Sequence, residues 1–559
     1  MKILERLTLP LILGLLAACT TAPVPAMSPA GKAAALMAPW ESPAAPGVAV
    51  AVSLDGETAF HGEAGLADLE HGIPITEDTV FHAASLSKQF TAFLVLSLAA
   101  EGKLSLDDDI ALYLPELKDT GPPVTIRQLL DHVGGLREQS SLRSMAGWSK
   151  KDLVTQAQML TLLGLQRGRN FAPGERFEYS NSGYGLLALI VERVSGERFA
   201  DFASARIFSP LGMNDTQFRD RLSDIVPNAA TSYEPRGDGF ARLVLNFELL
   251  GSTGLKTTPR DLLKWATNFE THEIGAPFVF EQMAERNLAA NGEPDVHGRG
   301  QELRRWNGVG TWSHGGRDAG FRAFLLRIPE QDLAVAVLSN RADFDMAKAA
   351  YDLAAIFLEG RPGYVPEEEA VWTPATAEEL QALEGDYELF PGLIFSISAD
   401  GDQLFFAPLN SPQKAPLPQI GDRQFMLNPA ANISLAFRTD AAGKATAFDY
   451  VSSLNGTLKA PRIDLSPFDP STANLQDYAG TYESDELAAR YDFYVEGGQL
   501  VAKHLRLLPV LLTPYQDDTF AGSVPEFGKV VFTRDAGGRI TGCVVSGALA
   551  EGVQFRKLD

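Results

Sequence analysis

A pattern that occurs twice, 95 positions apart, decides what the last third of this chain can become. Leu380-Gln381-Ala382-Leu383-Glu384-Gly385-Asp386-Tyr387-Glu388 is answered by Leu475-Gln476-Asp477-Tyr478-Ala479-Gly480-Thr481-Tyr482-Glu483. Near the end of each copy, Phe437, Asp440, Ala441 and Gly443 answer Phe532, Asp535, Ala536 and Gly538 at the same offset. Two anchors sharing one offset point to a duplicated unit. Each copy consists of short β-prone runs between turn signals, with hardly a helical pattern. Residues 380–464 and 475–559 are therefore expected to form two small antiparallel β-barrels joined by 465–474. Residues 361–379, rich in Pro, Glu and Ala, read as the linker that precedes them.

The 559 residues exceed what one hydrophobic core supports. Upstream of the linker, residues 44–360 alternate short strands with amphipathic runs. Val48–Leu54 is β-rich, and Ala323–Ile328 and Leu333–Leu338 read as adjacent strands. Helical patterns lie between them at Gln89–Glu101, Tyr184–Val194 and Arg260–Phe269. The last opens on Thr258-Pro259-Arg260-Asp261, a capping residue, a proline at the first helical position and an acid in the first turn. Strands at both ends with helices between predict an α+β domain whose sheet is closed by its two ends.

The net charge of −23 excludes a nucleic-acid partner, which would require a basic stripe. With two cysteines, Cys19 and Cys543, there is no disulfide framework. The eight histidines show no metal-binding spacing, so neither a metal nor another cofactor is expected. At the N-terminus, Lys2 and Arg6 precede an apolar run from Leu7 to Ala18, too short to span a bilayer and typical of a secretory signal. Its ending, Leu16-Ala17-Ala18-Cys19, resembles the lipobox of bacterial lipoproteins. That resemblance implies a signal peptide over residues 1–18, lipidation at Cys19, and a tether over 19–43. It also implies a lipid-anchored place in the cell envelope facing the periplasm, and Thr20 after the cysteine leans towards the outer membrane.

Three short patterns carry chemistry. Ser85-Leu86-Ser87-Lys88 opens a helix, which places Ser85 and Lys88 one turn apart on the same face. A serine hydroxyl needs a neighbouring base, and a lysine serves when burial lowers its pKa. The spacing alone is weak, since Ser411-Pro412-Gln413-Lys414 repeats it in a Pro-rich loop. Tyr179-Ser180-Asn181 follows the turn Ala172-Pro173-Gly174-Glu175 and precedes a helix. Its tyrosine could relay a proton and its amide hold a substrate carbonyl. Trp312-Ser313-His314-Gly315-Gly316 stands at a strand edge, where glycines let a substrate backbone approach closely. His132-Val133-Gly134 shares the His-x-Gly pattern but comes before the Tyr-x-Asn triplet.

In this order, SxxK, Tyr-x-Asn and then [Lys/His]-x-Gly on the last long strand, the motifs resemble the penicillin-recognising serine hydrolases. The branch resembled contains class C β-lactamases, D-aminopeptidases and related esterases. The resemblance covers roughly residues 45–360 and extends to Thr125–His132 and Pro210–Thr216. It implies a β-lactamase-like fold with an antiparallel sheet and a helical region. It implies Ser85 as nucleophile, Lys88 and Tyr179 sharing the base and acid roles, and Asn181 positioning the substrate. His314 and Gly316 would line the cleft, and the backbone N–H groups of Ser85 and Arg317 would form the oxyanion hole.

Lysine usually holds the third motif in β-lactamases and DD-peptidases, and a histidine there favours esters or peptides with an amino-terminal D-residue. Arg317 could restore a positive charge. The tandem barrels resemble the lipocalin-like barrels of D-aminopeptidases in this family. The expected activity is hydrolysis of a small-molecule or peptide amide or ester through an acyl-enzyme. The alternatives are a β-lactamase or DD-carboxypeptidase, and a catalytically dead envelope-binding relative. An α/β-hydrolase is disfavoured, since no Gly-x-Ser-x-Gly precedes a helix.

Overall fold

The computed structural model describes residues 27–149, 151–286, 296–366, 372–409, 411, 413–428, 433–452, 456–465 and 468–558. The expected signal peptide and Cys19 lie outside the described residues.

The α+β domain is built on one seven-stranded antiparallel sheet. Its order is His297–Gly298, Gln301–Trp306, Val309–Asp318, Phe321–Ile328, Leu333–Ser339, Val48–Leu54 and Glu57–Ala64. Val48–Leu54 pairs in full register with Leu333–Ser339, so the two ends of the domain close the sheet as expected. The central strands are apolar on both faces because both faces are covered, and side-chain alternation sorts their residues into two cores. Ala49, Ala51, Ala334, Ala336 and Leu338 face a large helical layer. Val48, Val50, Val52, Leu333, Val335 and Val337 face the opposite core, shared with helix Met346–Leu358. The strand carrying His314 is Val309–Asp318, and two further sheet strands follow it, so it is not the last long strand.

The expected tether does not extend to residue 43. Ser28 caps a helix over Pro29–Met37, accepting the Gly31 N–H at 3.1 Å, with proline at the first helical position. Ala33 and Met37 are buried in the core behind the sheet. The alanines that suggested a low-complexity tether supply a small helical face that packs closely.

The duplication folds as duplicated structure. The second copy is a closed eight-stranded barrel from Gly480–Ser484 to Ala550–Leu558. The first is a nine-stranded sheet running from Gly385–Phe390 to Gly456–Ile463. Its end strands, Ala415–Leu417 and Gln419–Gly421, are consecutive in the chain, which nearly closes it. The repeated residues repeat their contacts. Tyr387 donates its hydroxyl to the Leu383 carbonyl at 2.6 Å, and Tyr482 does the same to Tyr478 at 2.9 Å. Asp440 and Asp535 each tie a hairpin turn by accepting two backbone N–H groups through Oδ1. The linker expected over 361–379 gives way at its end to a capped helix, Ala377–Ala382, whose Leu380 enters the first barrel's core. Part of that linker, 367–371, lies outside the described residues.

The barrels sit differently. The first has its own core and abuts the second at Gly392, where an added Cβ would come within 1.8 Å of the Gly528 carbonyl oxygen. The second barrel shares one continuous apolar core with the helical layer of the hydrolase domain. A buried ion pair, Arg137 to Glu486 at 2.7 Å, crosses the junction, as does the Tyr491 hydroxyl bonded to the Met145 carbonyl at 2.8 Å.

Candidate active site

Ser85 stands in a short 3₁₀ turn, Ala84–Leu86, that leads directly into helix Ser87–Ala100. This helix is apolar almost all round because it runs through the core, and that burial is what Lys88 requires. Ala84 adopts φ +48°, an uncommon backbone for a residue with a Cβ. The strain is held from both sides. Ala83 donates its N–H to Leu255 at 2.9 Å, while Ser87 Oγ donates to the Ala84 carbonyl and accepts from Leu255 N–H.

Lys88 is fully buried and its Nζ lies 3.2 Å from Ser85 Oγ, 2.8 Å from Asn181 Oδ1 and 3.0 Å from the Ser252 carbonyl oxygen. The last two groups can only accept. A neutral amine that gives them its two N–H groups is left with its lone pair for the serine hydroxyl. Burial pushes the Lys88 pKa down to about 7, against the opposing charges of Glu138 and Asp318.

Tyr179 lies beside this pair, with Lys88 Nζ 4.7 Å from its ring centre and its side chain hydrogen-bonded to Ser85. Burial holds its phenol above the ordinary range. The ring stacks on His132 at 4.6 Å. His132 Nδ1 accepts the Ser180 N–H at 3.0 Å, and burial keeps the imidazole pKa well below its usual value. His132 thus backs the tyrosine, and the His132-Val133-Gly134 pattern is not a third motif.

Asn181 begins helix Asn181–Ser195, capped by Ser180 Oγ through the Gly183 N–H. Its own N–H and that of Ser182 go to Glu138 Oε2 at 2.9 and 3.0 Å, a carboxylate at a helix N-terminus.

On strand Val309–Asp318, His314 and Gly316 share the face turned towards the nucleophile. His314 Nδ1 lies 2.6 Å from the Gly315 carbonyl, so the neutral ring carries its proton there. Burial, then the Lys88 charge, lower the His314 pKa to about 4, so the ring is neutral at pH 7. Gly316 is required by a close approach, since a Cβ would stand 2.2 Å from the Ala83 carbonyl oxygen. That approach brings the backbone of the Arg317 strand alongside the Ser85 turn. The Arg317 side chain belongs to the other face. It pairs across the sheet with Arg322, and the charges it feels are those of Arg322 and Asp345. Its guanidinium therefore does not restore a charge in the cleft, because side chains alternate along a strand.

The structure brings Ser85, Lys88, Tyr179, Asn181 and His314 together and adds groups that the sequence reading missed. Ser252 contributes only a backbone carbonyl. Its loop could have been suspected from Gly251-Ser252-Thr253-Gly254, where Gly251 has φ +84° and packs against the Tyr184 carbonyl. Thr253 Oγ1, His82 Nε2 and Asp318 Oδ2 form a cluster at 3.1–3.3 Å, and the Asp318 charge acts on Lys88. Glu138 carries no local sequence signal. Elsewhere, a groove of about 450 Å³ lined by Val50, Glu57, His61, Arg260 and Lys264 holds none of the motif residues.

The family model described as Beta-lactamase matches residues 33–358. The D-aminopeptidase of Brucella melitensis biotype 2 is 27% identical over 537 residues, which is 92% of this chain and 96% of that protein. The D-aminopeptidase of Brucella anthropi is 27% identical over 535 residues with the same coverage. Among solved structures, the octameric penicillin-binding protein homologue from Pyrococcus abyssi superposes with a TM-score of 0.53 at 23% identity. It covers 77% of this chain and 99% of that one, and shows a shared fold.

Proposed function

The chain belongs to the Beta-lactamase family of serine hydrolases, and we propose that within it this protein cleaves amides or esters of D-amino acids through an acyl-enzyme on Ser85. The observation that carries the reading is the buried Lys88 amine, 3.2 Å from Ser85 Oγ with its N–H groups directed elsewhere. The end-to-end likeness to D-aminopeptidases, across both barrels, supports the D-amino-acid preference.

In this mechanism neutral Lys88 takes the Ser85 proton as Oγ bonds to the substrate carbonyl carbon. The oxyanion is met by the Ser85 and Arg317 backbone N–H groups; removing one such donor costs about 2.7–4 kcal/mol of barrier in comparable sites. Lys88 is the first base because its pKa is about 7, while Tyr179, held above the phenol range, stays protonated and donates. Tyr179 gives its proton to the departing amine or alkoxide as the scissile bond breaks, and recovers one from Lys88. Water then adds to the acyl carbon, Ser85 Oγ leaves with a proton, and the free acid departs. Asn181 orients both Lys88 and the substrate carbonyl, and neutral His314 lines the cleft without a fixed charge.

The lipid anchor at Cys19 and an outer-membrane, periplasm-facing location remain part of the proposal, supported by Leu16-Ala17-Ala18-Cys19 alone.

Intact-mass analysis after a fluorophosphonate probe tests the nucleophile: one adduct on wild type, none on Ser85→Ala. A D-alanine anilide, its L-isomer, a short acyl ester and nitrocefin then rank the substrates. Cleavage of nitrocefin in preference to the others would overturn the D-amino-acid reading, and a folded wild type without adduct would overturn catalysis itself.

A further inference from the structure

Glu138 is almost fully buried, yet it makes no ion pair among the described residues. Its Oε2 accepts the Asn181 N–H at 2.9 Å, the Ser182 N–H at 3.0 Å and the Ser182 hydroxyl at 3.3 Å, while Oε1 is buried without a partner. A carboxylate so placed is expensive to bury for the sake of one helix end, which a serine or threonine caps with a neutral oxygen.

Its main chain is held by a different domain. The Glu138 N–H donates to the Leu549 carbonyl at 2.7 Å. Leu549 lies in the two-residue turn between strands Ile540–Gly547 and Ala550–Leu558 of the second barrel, with φ +63°. The turn is clamped to the hydrolase domain on both sides. Asn170 Nδ2 donates to the Leu549 carbonyl at 3.1 Å, Asn170 Oδ1 accepts the Glu551 N–H at 2.9 Å, and the Ser141 hydroxyl donates to the Ala548 carbonyl at 2.5 Å.

We infer that Glu138 is a positioning residue for Lys88 and Asn181, and that the Ala548–Leu549 turn of the second barrel seats it. The inference rests on the reading of Ser85 and Lys88 as the reacting pair. A continuous path runs from the Leu549 carbonyl through Glu138 to the Asn181 backbone, then from Asn181 Oδ1 to Lys88 Nζ at 2.8 Å and on to Ser85 Oγ at 3.2 Å. The barrel thereby fixes the amide that takes one N–H of the catalytic amine. Glu138 also acts through its charge. The ionisable groups facing Lys88 are Glu138, Asp318, Tyr179, Tyr184, His132 and His314, of which Glu138 and Asp318 favour its protonated form. Arg143, further along the helix that follows Glu138, partly offsets Glu138 in turn.

Glu138→Gln in the full chain separates this role from capping, because the amide oxygen can still accept both N–H groups while the charge is lost. With a short acyl ester we expect kcat at its pH plateau to fall about threefold at little change in KM, because Lys88 becomes cationic as it takes the Ser85 proton and the lost carboxylate had favoured that charge. The acid limb of kcat/KM should move to lower pH by on the order of half a unit, since removing the carboxylate destabilises protonated Lys88. Asn170→Ala, which loosens the turn and leaves the charge, should lower kcat with the midpoint unmoved. A folded Glu138→Gln with wild-type kcat, or with a wild-type midpoint, overturns the inference, and so does wild-type kcat in Asn170→Ala. Persistence of the fluorophosphonate adduct in Ser85→Ala would instead overturn the nucleophile assignment, which keeps the two failures apart.

Discussion

Replacing Lys88 by methionine should abolish hydrolysis and stabilise the fold, by an amount that depends on pH in a defined way. Burial lowers the Lys88 pKa from 10.5 to about 7, a difference of about 3.5 units. At roughly 1.36 kcal/mol per unit, placing this amine in the folded chain at pH 7 costs about 4 kcal/mol relative to the unfolded chain. The unfolded chain binds more protons than the folded one between pH 7 and 10.5. The penalty is therefore complete below pH 7, shrinks as pH rises, and is gone above 10.5. Methionine has nearly the same volume and no penalty, but it strands Asn181 Oδ1 and the Ser252 carbonyl, at about 1 kcal/mol each or somewhat more. The net expectation at pH 7 is a gain of about 2 kcal/mol, turning into a loss of similar size near pH 10.5. Unfolding followed by circular dichroism for both proteins from pH 6.5 to 10.5 measures it, since titrating groups remote from Lys88 cancel in the difference. A methionine variant that is less stable at pH 7, or whose difference from wild type does not change with pH, would refute the burial argument and the claim that Lys88 is a ready base.

Two further perturbations probe the frame around the site. Gly316→Ala forces a methyl against the Ala83 carbonyl beside the nucleophile turn; kcat should drop at least about 100-fold with a stability loss of about 1–3 kcal/mol, checked by steady-state kinetics and thermal melts. Arg137→Met leaves Glu486 buried without its cation at the junction with the second barrel, and should cost about 3–5 kcal/mol, read as a lowered Tm and faster proteolysis within residues 475–559.

The residues that could be read from sequence are those whose chemistry is local. Ser85 and Lys88 lie one helical turn apart, Tyr179 and Asn181 flank a capping serine, and the paired Tyr387 and Tyr482 mark the duplication because each bonds four residues back within its own copy. The strands at Val48–Leu54 and Leu333–Ser339 were legible from their unbroken apolar runs. What could not be read depends on distant pairings. Ser252 acts through a carbonyl, which any residue supplies, and Glu138 is significant only because Leu549 and Asn181 meet it in space. The side chain of Arg317 was misjudged for a related reason, since its direction follows from the strand phase that His314 and Gly316 set. The helix at Pro29–Met37 was hidden by alanines that suit a tether and a close-packed helix equally well.

The seating of Glu138 by the second barrel also sets an order of events in time. Arg137 and the Glu551 carbonyl it binds are 414 positions apart in the chain. At translation rates of roughly 5–20 residues per second, some 20–80 s separate the synthesis of the two. Ser85 and Lys88 precede that interval and Tyr179 is made early in it, while the support behind Asn181 comes only at its end. A nascent chain of this kind holds an unfinished active site until its final hairpin docks.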